Sequence, residues 1–147
     1  MTTTKAFPSA RLVPTNGIEL AVHELGEGPA VFLLHGFPEL AYSWRHQIGP
    51  IADAGFRVIA PEQRGYGESS APEDSQTYSV KNLVADLTGL LDALEIEQAV
   101  WFGHDWGSMP AWYSAVYAPE RVLGMGSLCT PYFTPGEVDL IEAYNQL

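Results

Sequence analysis

The sequence has few basic residues and a single cysteine. Its 147 residues contain 7 Lys and Arg against 18 Asp and Glu, which gives a formal net charge of −11 at pH 7. A chain this acidic offers no positive field to phosphate groups, so binding to nucleic acid or to an anionic membrane surface is not expected. Cys129, the one cysteine, cannot form an internal disulfide and excludes a cysteine-rich metal site.

Long apolar segments are also missing. The first residues contain no apolar core of signal-peptide length, and the apolar run at residues 30–34 is far too short to span a bilayer. A soluble, cytoplasmic protein is therefore expected. The length and the 46% hydrophobic composition predict a single globular domain over residues 1–147, with no repeat and no interdomain linker.

Five short segments have the pattern of β-strands. In residues 18–24 apolar and polar residues alternate, which is typical of a strand buried on one face. Four continuous apolar runs are typical of strands buried on both faces, and they lie at residues 30–34, 57–60, 99–102 and 124–128. Residues 1–16 are expected to form an irregular lead-in, because Pro8 and Pro14 interrupt regular structure.

Helical patterns separate these runs. Leucines recur at spacings of three and four between about residues 79 and 94, which predicts a helix with one buried face. Asp86 and Asp92 lie on its other face. Residues 41–54 and 107–118 are weaker helix candidates. Because strands alternate with helices, the predicted fold class is α/β, with a mostly parallel sheet that is covered on both sides.

The first candidate for chemistry is Asp105, which lies between a buried strand and a helix. The segment Gly103-His104-Asp105-Trp106-Gly107 has the spacing of a nucleophile elbow, with aspartate where serine is more usual. Such a sharp turn leaves no room for side chains at the flanking glycines. The amino end of the following helix favours an ionised carboxylate. An aspartate that only caps this helix is the alternative from the sequence alone.

A second motif, His35-Gly36-Phe37-Pro38, directly follows another buried strand. An enzyme with an elbow needs two backbone N–H donors that bind an oxyanion, one after the nucleophile and one from the loop after an earlier strand. The N–H groups of Trp106 and Phe37 are the candidates. Gly36 lets the loop turn toward the cleft, and Pro38 would fix it, with a cis peptide bond as one option.

With these motifs identified, the sequence resembles the epoxide hydrolases of the α/β-hydrolase fold, from about residue 12 to residue 131. Further segments that carry the resemblance in the family's order are Glu39, Ser43-Trp44-Arg45, Pro61-Glu62-Gln63-Arg64-Gly65-Tyr66-Gly67-Glu68-Ser69 and Pro119-Glu120-Arg121-Val122. In the family a helical cap with two ring-opening tyrosines follows, and then strands that carry a catalytic acid and a histidine. The resemblance therefore implies that residues 1–147 form a partial α/β-hydrolase domain, the amino-terminal part of the core before the cap.

The resemblance implies roles for the matching residues. Asp105 would attack an epoxide carbon and form a covalent ester, which water then hydrolyses to a vicinal diol. The backbones of Phe37 and Trp106 would form the oxyanion hole, and their side chains would contact the substrate. The supporting motif residues would be His35, Gly36, Pro38, Gly103, His104 and Gly107. The implied partner is a small-molecule epoxide, with no metal and no cofactor.

The same resemblance implies that this chain alone does not turn over substrate, because the family's histidine, acid and ring-opening tyrosines have no counterpart in it. Tyr132 and Tyr144 lie near the expected start of the cap, and nothing in their spacing assigns them this role. Glu62 and Arg64 are interpreted as a buried structural pair or as loop anchors.

Two alternatives stay open. Haloalkane dehalogenases share the aspartate elbow and the tryptophan after it, but many have an asparagine donor where Phe37 stands, and residues 128–130 lack the carboxylate that some of them place there. The other alternative is a non-catalytic chain that binds a complementing chain or forms a homo-oligomer. An uncovered sheet edge would favour such association.

Overall fold

The computed structural model describes residues 6–132, which form one six-stranded sheet with helices on both faces. The strands are β1 (Ala10–Thr15), β2 (Ile18–Leu25), β3 (Ala30–Leu34), β4 (Arg57–Pro61), β5 (Ala99–His104) and β6 (Val122–Leu128). Their order across the sheet is β1-β2-β4-β3-β5-β6. β2 pairs antiparallel with β1 and β4, while β3–β4, β3–β5 and β5–β6 are parallel. The predicted mostly parallel α/β sheet is therefore confirmed.

Three α-helices connect these strands, α1 (Ile48–Asp53), α2 (Val80–Ala93) and α3 (Ser108–Tyr117). Single 3₁₀ turns lie at Ala41–Trp44, Ser75–Tyr78, Asp105–Gly107 and Pro119–Arg121. α2 begins where the sequence predicts, because the Ser79 hydroxyl accepts a hydrogen bond from the Asn82 N–H and so caps the helix. In α3, Pro110 lies in the first turn, where its missing N–H has no helical partner to lose.

The side chains of β3 pack into the core on both faces of the sheet. Phe32 and Leu34 pack on the side of α2 and α3, together with Trp101. The rings of Phe32 and Trp101 meet edge to face, with their centroids 4.9 Å apart. Val31 and Leu33 pack on the opposite side, against α1 and the turn that precedes it. All five residues of β3 are buried, as expected for a strand covered on both faces.

The irregular lead-in expected over residues 1–16 is wrong for residues 10–15, which form β1 at the edge of the sheet. Pro14 pairs opposite Glu19 within this strand. An edge strand tolerates proline because the N–H on its outer side has no ladder partner. Residues 1–5 lie outside the described part of the chain, as do residues 133–147 with Tyr144.

The expected position of Asp86 on the outer face of α2 is also wrong. Its side chain is buried, and its two carboxylate oxygens accept hydrogen bonds of 2.8 and 2.6 Å from the Arg64 guanidinium. Asn16, in the β1–β2 turn, donates a further bond of 2.7 Å to the same carboxylate. Arg64 therefore pairs with Asp86 and not with Glu62. A helical periodicity cannot distinguish a solvated aspartate from one that is buried with a cation from another segment.

No helix within residues 6–132 is long and apolar enough to cross a membrane.

Candidate active site

Asp105 lies at the turn between β5 and α3. Its φ of 52° is in the left-handed region, which non-glycine residues adopt at a cost of about 1–2 kcal/mol. The glycines on either side are required by the close packing of the turn. A Cβ on Gly103 would lie 2.3 Å from the carbonyl oxygen of Gly107, and a Cβ on Gly107 would lie 2.3 Å from that of Leu34. The strand, the turn and the helix therefore hold the aspartate in one fixed position.

The loop after β3 meets this turn directly. The N–H of Phe37 donates a hydrogen bond of 2.9 Å to Oδ1 of Asp105. A Cβ on Gly36 would lie 2.6 Å from the Asp105 Cβ, so only glycine permits this approach. The Phe37–Pro38 peptide bond is cis, one of the two forms that the sequence allowed. The two motifs, which are 68 residues apart in sequence, thus form a single site.

His35 is the buried residue that holds the loop after β3 in place. Its ring is fully buried, its Nδ1–H donates to the Gly36 carbonyl oxygen at 3.0 Å, and its Nε2 accepts from the Gln63 N–H at 3.0 Å. Burial lowers the pKa of His35, outweighing the Gly36 carbonyl and the nearby Glu62 and Glu39 carboxylates, which favour the charged form. The histidine is therefore held neutral, with the proton on Nδ1.

His104 precedes Asp105 and interacts with a carboxylate of the loop after β3. Its Nδ1–H donates to Oε2 of Glu39 at 3.1 Å. That oxygen also faces the N–H of Gly36 at 3.4 Å. Both side chains are about one third exposed, His104 at 33% and Glu39 at 35%. The sequence motifs include Glu39, but its contact with His104 could not be read from them.

Two clefts share Trp106 as a lining residue, and Asp105 lines the smaller of them. The larger, of about 380 Å³, is lined by Phe37, Gln63, Arg64, Gly65, Tyr66, Tyr78, Leu83 and Trp106. The smaller, of about 230 Å³, is lined by Asp105, Trp106, Met109 and Thr130. The rings of Phe37 and Trp106 are mostly exposed, at 61% and 62%, and lie 6.5 Å apart. The site is thus an apolar surface around one carboxylate.

Two residues of the site were missed at the sequence level. Tyr66 lines the larger cleft, and its pKa is raised by burial and by the negative charge of Asp105, so its phenol stays protonated. Thr130 donates from Oγ1 to the carbonyl oxygen of Asp105 at 3.1 Å. Both residues lie in loops, where no periodicity predicts the direction of their side chains. Within residues 6–132, no group of three or more His, Cys, Asp and Glu side chains could hold a metal ion.

The fold agrees with comparisons to known proteins. Residues 29–146 match the family described as the alpha/beta hydrolase fold. This match covers most of the sequence, and the chain belongs to that family.

Among curated relatives, the chain is 50% identical to epoxide hydrolase A of Mycobacterium tuberculosis over 139 residues, which cover 93% of this chain and 43% of the relative. It is also 50% identical to an epoxide hydrolase of Caballeronia sordidicola, with 88% of this chain and 40% of the relative covered. Among solved structures, epoxide hydrolase A from Mycobacterium thermoresistibile superposes with a TM-score of 0.89 at 49% identity, covering 95% of this chain and 44% of that one. The chain thus spans about two fifths of the length of the curated relatives it matches.

Proposed function

We propose that this chain carries the nucleophile and the oxyanion hole of an epoxide hydrolase, which converts an epoxide and water to a vicinal diol through an ester on Asp105. The observation that carries the proposal is the 2.9 Å hydrogen bond from the Phe37 N–H to Asp105 Oδ1, made where the aspartate occupies a strained turn between strand and helix. The names of the relatives support the substrate class.

From this hydrogen bond we infer different roles for the two carboxylate oxygens. Oδ2 attacks an epoxide carbon, the carbon–oxygen bond of the ring breaks, and the released alkoxide takes a proton from solvent water. Oδ1 then becomes the carbonyl oxygen of the ester, and it develops negative charge when water attacks the carbonyl carbon. The Phe37 N–H is already directed at Oδ1, and the Trp106 N–H is the proposed second donor. Preorganised donors of this kind lower the barrier to the second step.

We also propose that residues 1–147 alone stop at the ester. Hydrolysis requires a histidine that activates water. Among residues 6–132, no histidine is hydrogen-bonded or ion-paired to Asp105. His104 donates to Glu39, both ring nitrogens of His35 have partners, and His23 contacts the Pro8 carbonyl oxygen and Glu62. All four histidines lie within residues 6–132, so a histidine from outside residues 1–147 would be needed to complete the reaction.

The test is intact-mass analysis of the chain after incubation with styrene oxide. Ester formation adds the mass of one epoxide molecule, because the ring opens without loss of atoms. We expect this adduct on the wild-type chain and none on Asp105→Asn, whose amide is a poor nucleophile. Glu68→Gln, which changes an exposed carboxylate of another loop, should form the adduct like the wild type. Absence of an adduct from the folded wild-type chain would contradict the proposal.

Haloalkane dehalogenation is the second candidate function, and the same mass analysis tests it. The exposed Trp106 indole could donate to a departing halide, but the Phe37 side chain has no donor, and the relatives' names favour epoxides. With 1-bromobutane, attack by Asp105 would release bromide and leave a butyl ester. We expect styrene oxide to react faster. Faster reaction of bromobutane would support the dehalogenase alternative instead.

A further inference from the structure

One oxygen atom of Glu39 contacts both segments that meet at Asp105. Oε2 accepts the hydrogen bond from His104 at 3.1 Å and faces the Gly36 N–H at 3.4 Å. His104 directly precedes Asp105, and Gly36 directly precedes Phe37. The carboxylate therefore joins the neighbour of the attacking side chain to the neighbour of its hydrogen-bond donor.

The same loop is closed on itself at this position. The Glu39 N–H donates to the Gly36 carbonyl oxygen at 3.1 Å, and that oxygen also accepts from the buried His35 ring. The loop backbone is thus held as a tight turn, and the Glu39 carboxylate on this turn accepts from His104 of the Asp105 segment. A carboxylate that accepts from both sides fixes the separation of the two segments.

We propose that Glu39 is a positioning residue, which keeps the Phe37 N–H at hydrogen-bond distance from Asp105. The effect on catalysis rests on the proposed function, whereas the geometric effect does not. When the carboxylate is removed, the loop loses its connection to His104, and the Phe37 N–H opens to solvent more often. Asp105 then loses the contact that fixes the direction of its second oxygen, which slows attack on a bound electrophile.

Loss of Glu39 is compatible with folding. The pair with His104 is one third exposed, and exposed ion pairs contribute little to stability, so the rest of the sheet keeps its structure. This separates a positioning role from a structural one. A structural residue would change the melting temperature and the protection of distant amides together, whereas a positioning residue changes only the protection of Phe37 and of Gly36, whose N–H faces the carboxylate.

The test is amide hydrogen exchange of the complete 147-residue chain, followed residue by residue with NMR. In Glu39→Ala we expect the Phe37 amide to exchange about five- to tenfold faster, the factor that corresponds to one net hydrogen bond. Amides within β3 should be unchanged. Glu39→Gln keeps the acceptor oxygen and should restore most of the protection. Glu68→Ala serves as the matched control on an exposed carboxylate.

Substitution of His104 tests the connection itself. His104→Ala should expose the Phe37 amide as Glu39→Ala does, and the double variant should go no further than either single variant. Additive effects would show that the two side chains act independently and would overturn the proposal. An unchanged Phe37 amide in Glu39→Ala would overturn it as well.

Ester formation with styrene oxide, measured on the same variants, separates this proposal from the proposed function. A faster-exchanging Phe37 amide together with slower ester formation supports both. If Phe37 exchanges faster but no variant, including the wild type, forms an ester, the proposed function fails and the positioning role stands. If Phe37 exchanges faster and the ester forms at the wild-type rate, the catalytic part of the proposal is contradicted.

Discussion

The residues around Asp105 show how closely the candidate site depends on backbone that only small residues permit. The aspartate has a left-handed φ of 52°, and Gly36, Gly103 and Gly107 each lie where a Cβ would overlap a neighbouring atom. Backbone strain that is held by such tight packing clusters at functional sites. The alternative interpretation, an aspartate that only caps α3, is disfavoured because its side chain accepts from Phe37 in a different loop.

Gly107→Ala should strongly destabilise the chain. The new Cβ would lie 2.3 Å from the Leu34 carbonyl oxygen and 2.6 Å from that of His35, and neither backbone segment can move without disturbing the β3–β5 pairing. We expect a loss of about 3 kcal/mol or more in the free energy of unfolding, measured by urea denaturation.

Gly49→Ala is the control for this substitution. Gly49 lies in α1, and a Cβ there would meet no atom of another part of the chain within 4 Å. Pro50 follows Gly49 and disfavours a Cβ before it, which offsets the helical preference of alanine, so the free energy of unfolding should change by less than about 1 kcal/mol. Equal effects of the two substitutions would contradict the packing described for the Asp105 turn.

His35 should make stability depend on pH near neutrality. Burial lowers its pKa in the folded chain below the ordinary value of 6.5. The unfolded chain therefore takes up the proton first as the pH falls, so the stability from neutral His35 is complete above about pH 6.5 and decreases below it. We expect a lower free energy of unfolding at pH 5.5 than at pH 7.5.

Substitution of two histidines, one at a time, shows which residue causes this pH dependence. In His35→Gln the difference in unfolding free energy between pH 7.5 and pH 5.5 should shrink. His46→Gln, which replaces an exposed histidine, should keep the wild-type difference. Full retention of the difference in His35→Gln would show that another group titrates.

The sequence predicts the two motifs, and physical reasoning brings them together because both follow parallel strands of one sheet. It does not predict the partners that hold them. His35 is bonded to Gln63, 28 residues away, and Glu39 is bonded to His104, 65 residues away. Such contacts depend on side-chain directions in loops, which spacing along the chain does not determine.

At the scale of elements, the periodicity of α2 and the apolar runs of β3 and β5 predict their positions to within a few residues. β1 was missed because proline normally interrupts a strand, and only its place at the edge of the sheet permits Pro14. Asp86 was placed outside the core because its partner, Arg64, comes from the loop after β4. These errors have one cause, since both features depend on neighbours distant in sequence.

The buried Arg64–Asp86 pair should stabilise the packing of α2 strongly. It joins the helix to the loop after β4, and Asn16 extends it to the β1–β2 turn. Asp86→Ala would leave the Arg64 guanidinium buried without its partner. We expect a loss of about 3–5 kcal/mol in the free energy of unfolding.

Asp92→Ala on the same helix is the matched control. Asp92 pairs with Arg121 at 2.8 Å, but its side chain is 70% exposed. Its loss should change the free energy of unfolding by less than about 1 kcal/mol. A comparable loss in both variants, measured by urea denaturation, would contradict the assigned importance of burial.

At the scale of the whole molecule, the chain combines an open sheet edge with a strong negative charge. Among residues 6–132, β6 pairs with β5 on one side only, and its side chains Leu123 and Leu128 are exposed at 57% and 44%. Edges of this kind promote association of chains. The net charge of −11 opposes it through mutual repulsion.

We therefore expect association of the purified chain to increase with salt, because salt screens the repulsion. Analytical ultracentrifugation at 50 mM and 500 mM NaCl measures this directly. Leu123→Lys places a charge on the edge strand and should reduce association, whereas Leu12→Lys on β1, at the opposite edge, serves as the control. A chain that stays monomeric at both salt concentrations would contradict the expectation.

The central claim is that Asp105 is the nucleophile that forms a covalent ester with an epoxide. Proteolysis of the styrene oxide-treated chain, followed by fragmentation mass spectrometry of the peptide that contains residues 103–107, locates the adduct directly. The account predicts that the added mass lies on Asp105 and that alkaline hydrolysis removes it. An adduct on another side chain of the wild-type chain, with Asp105 unmodified, would contradict it.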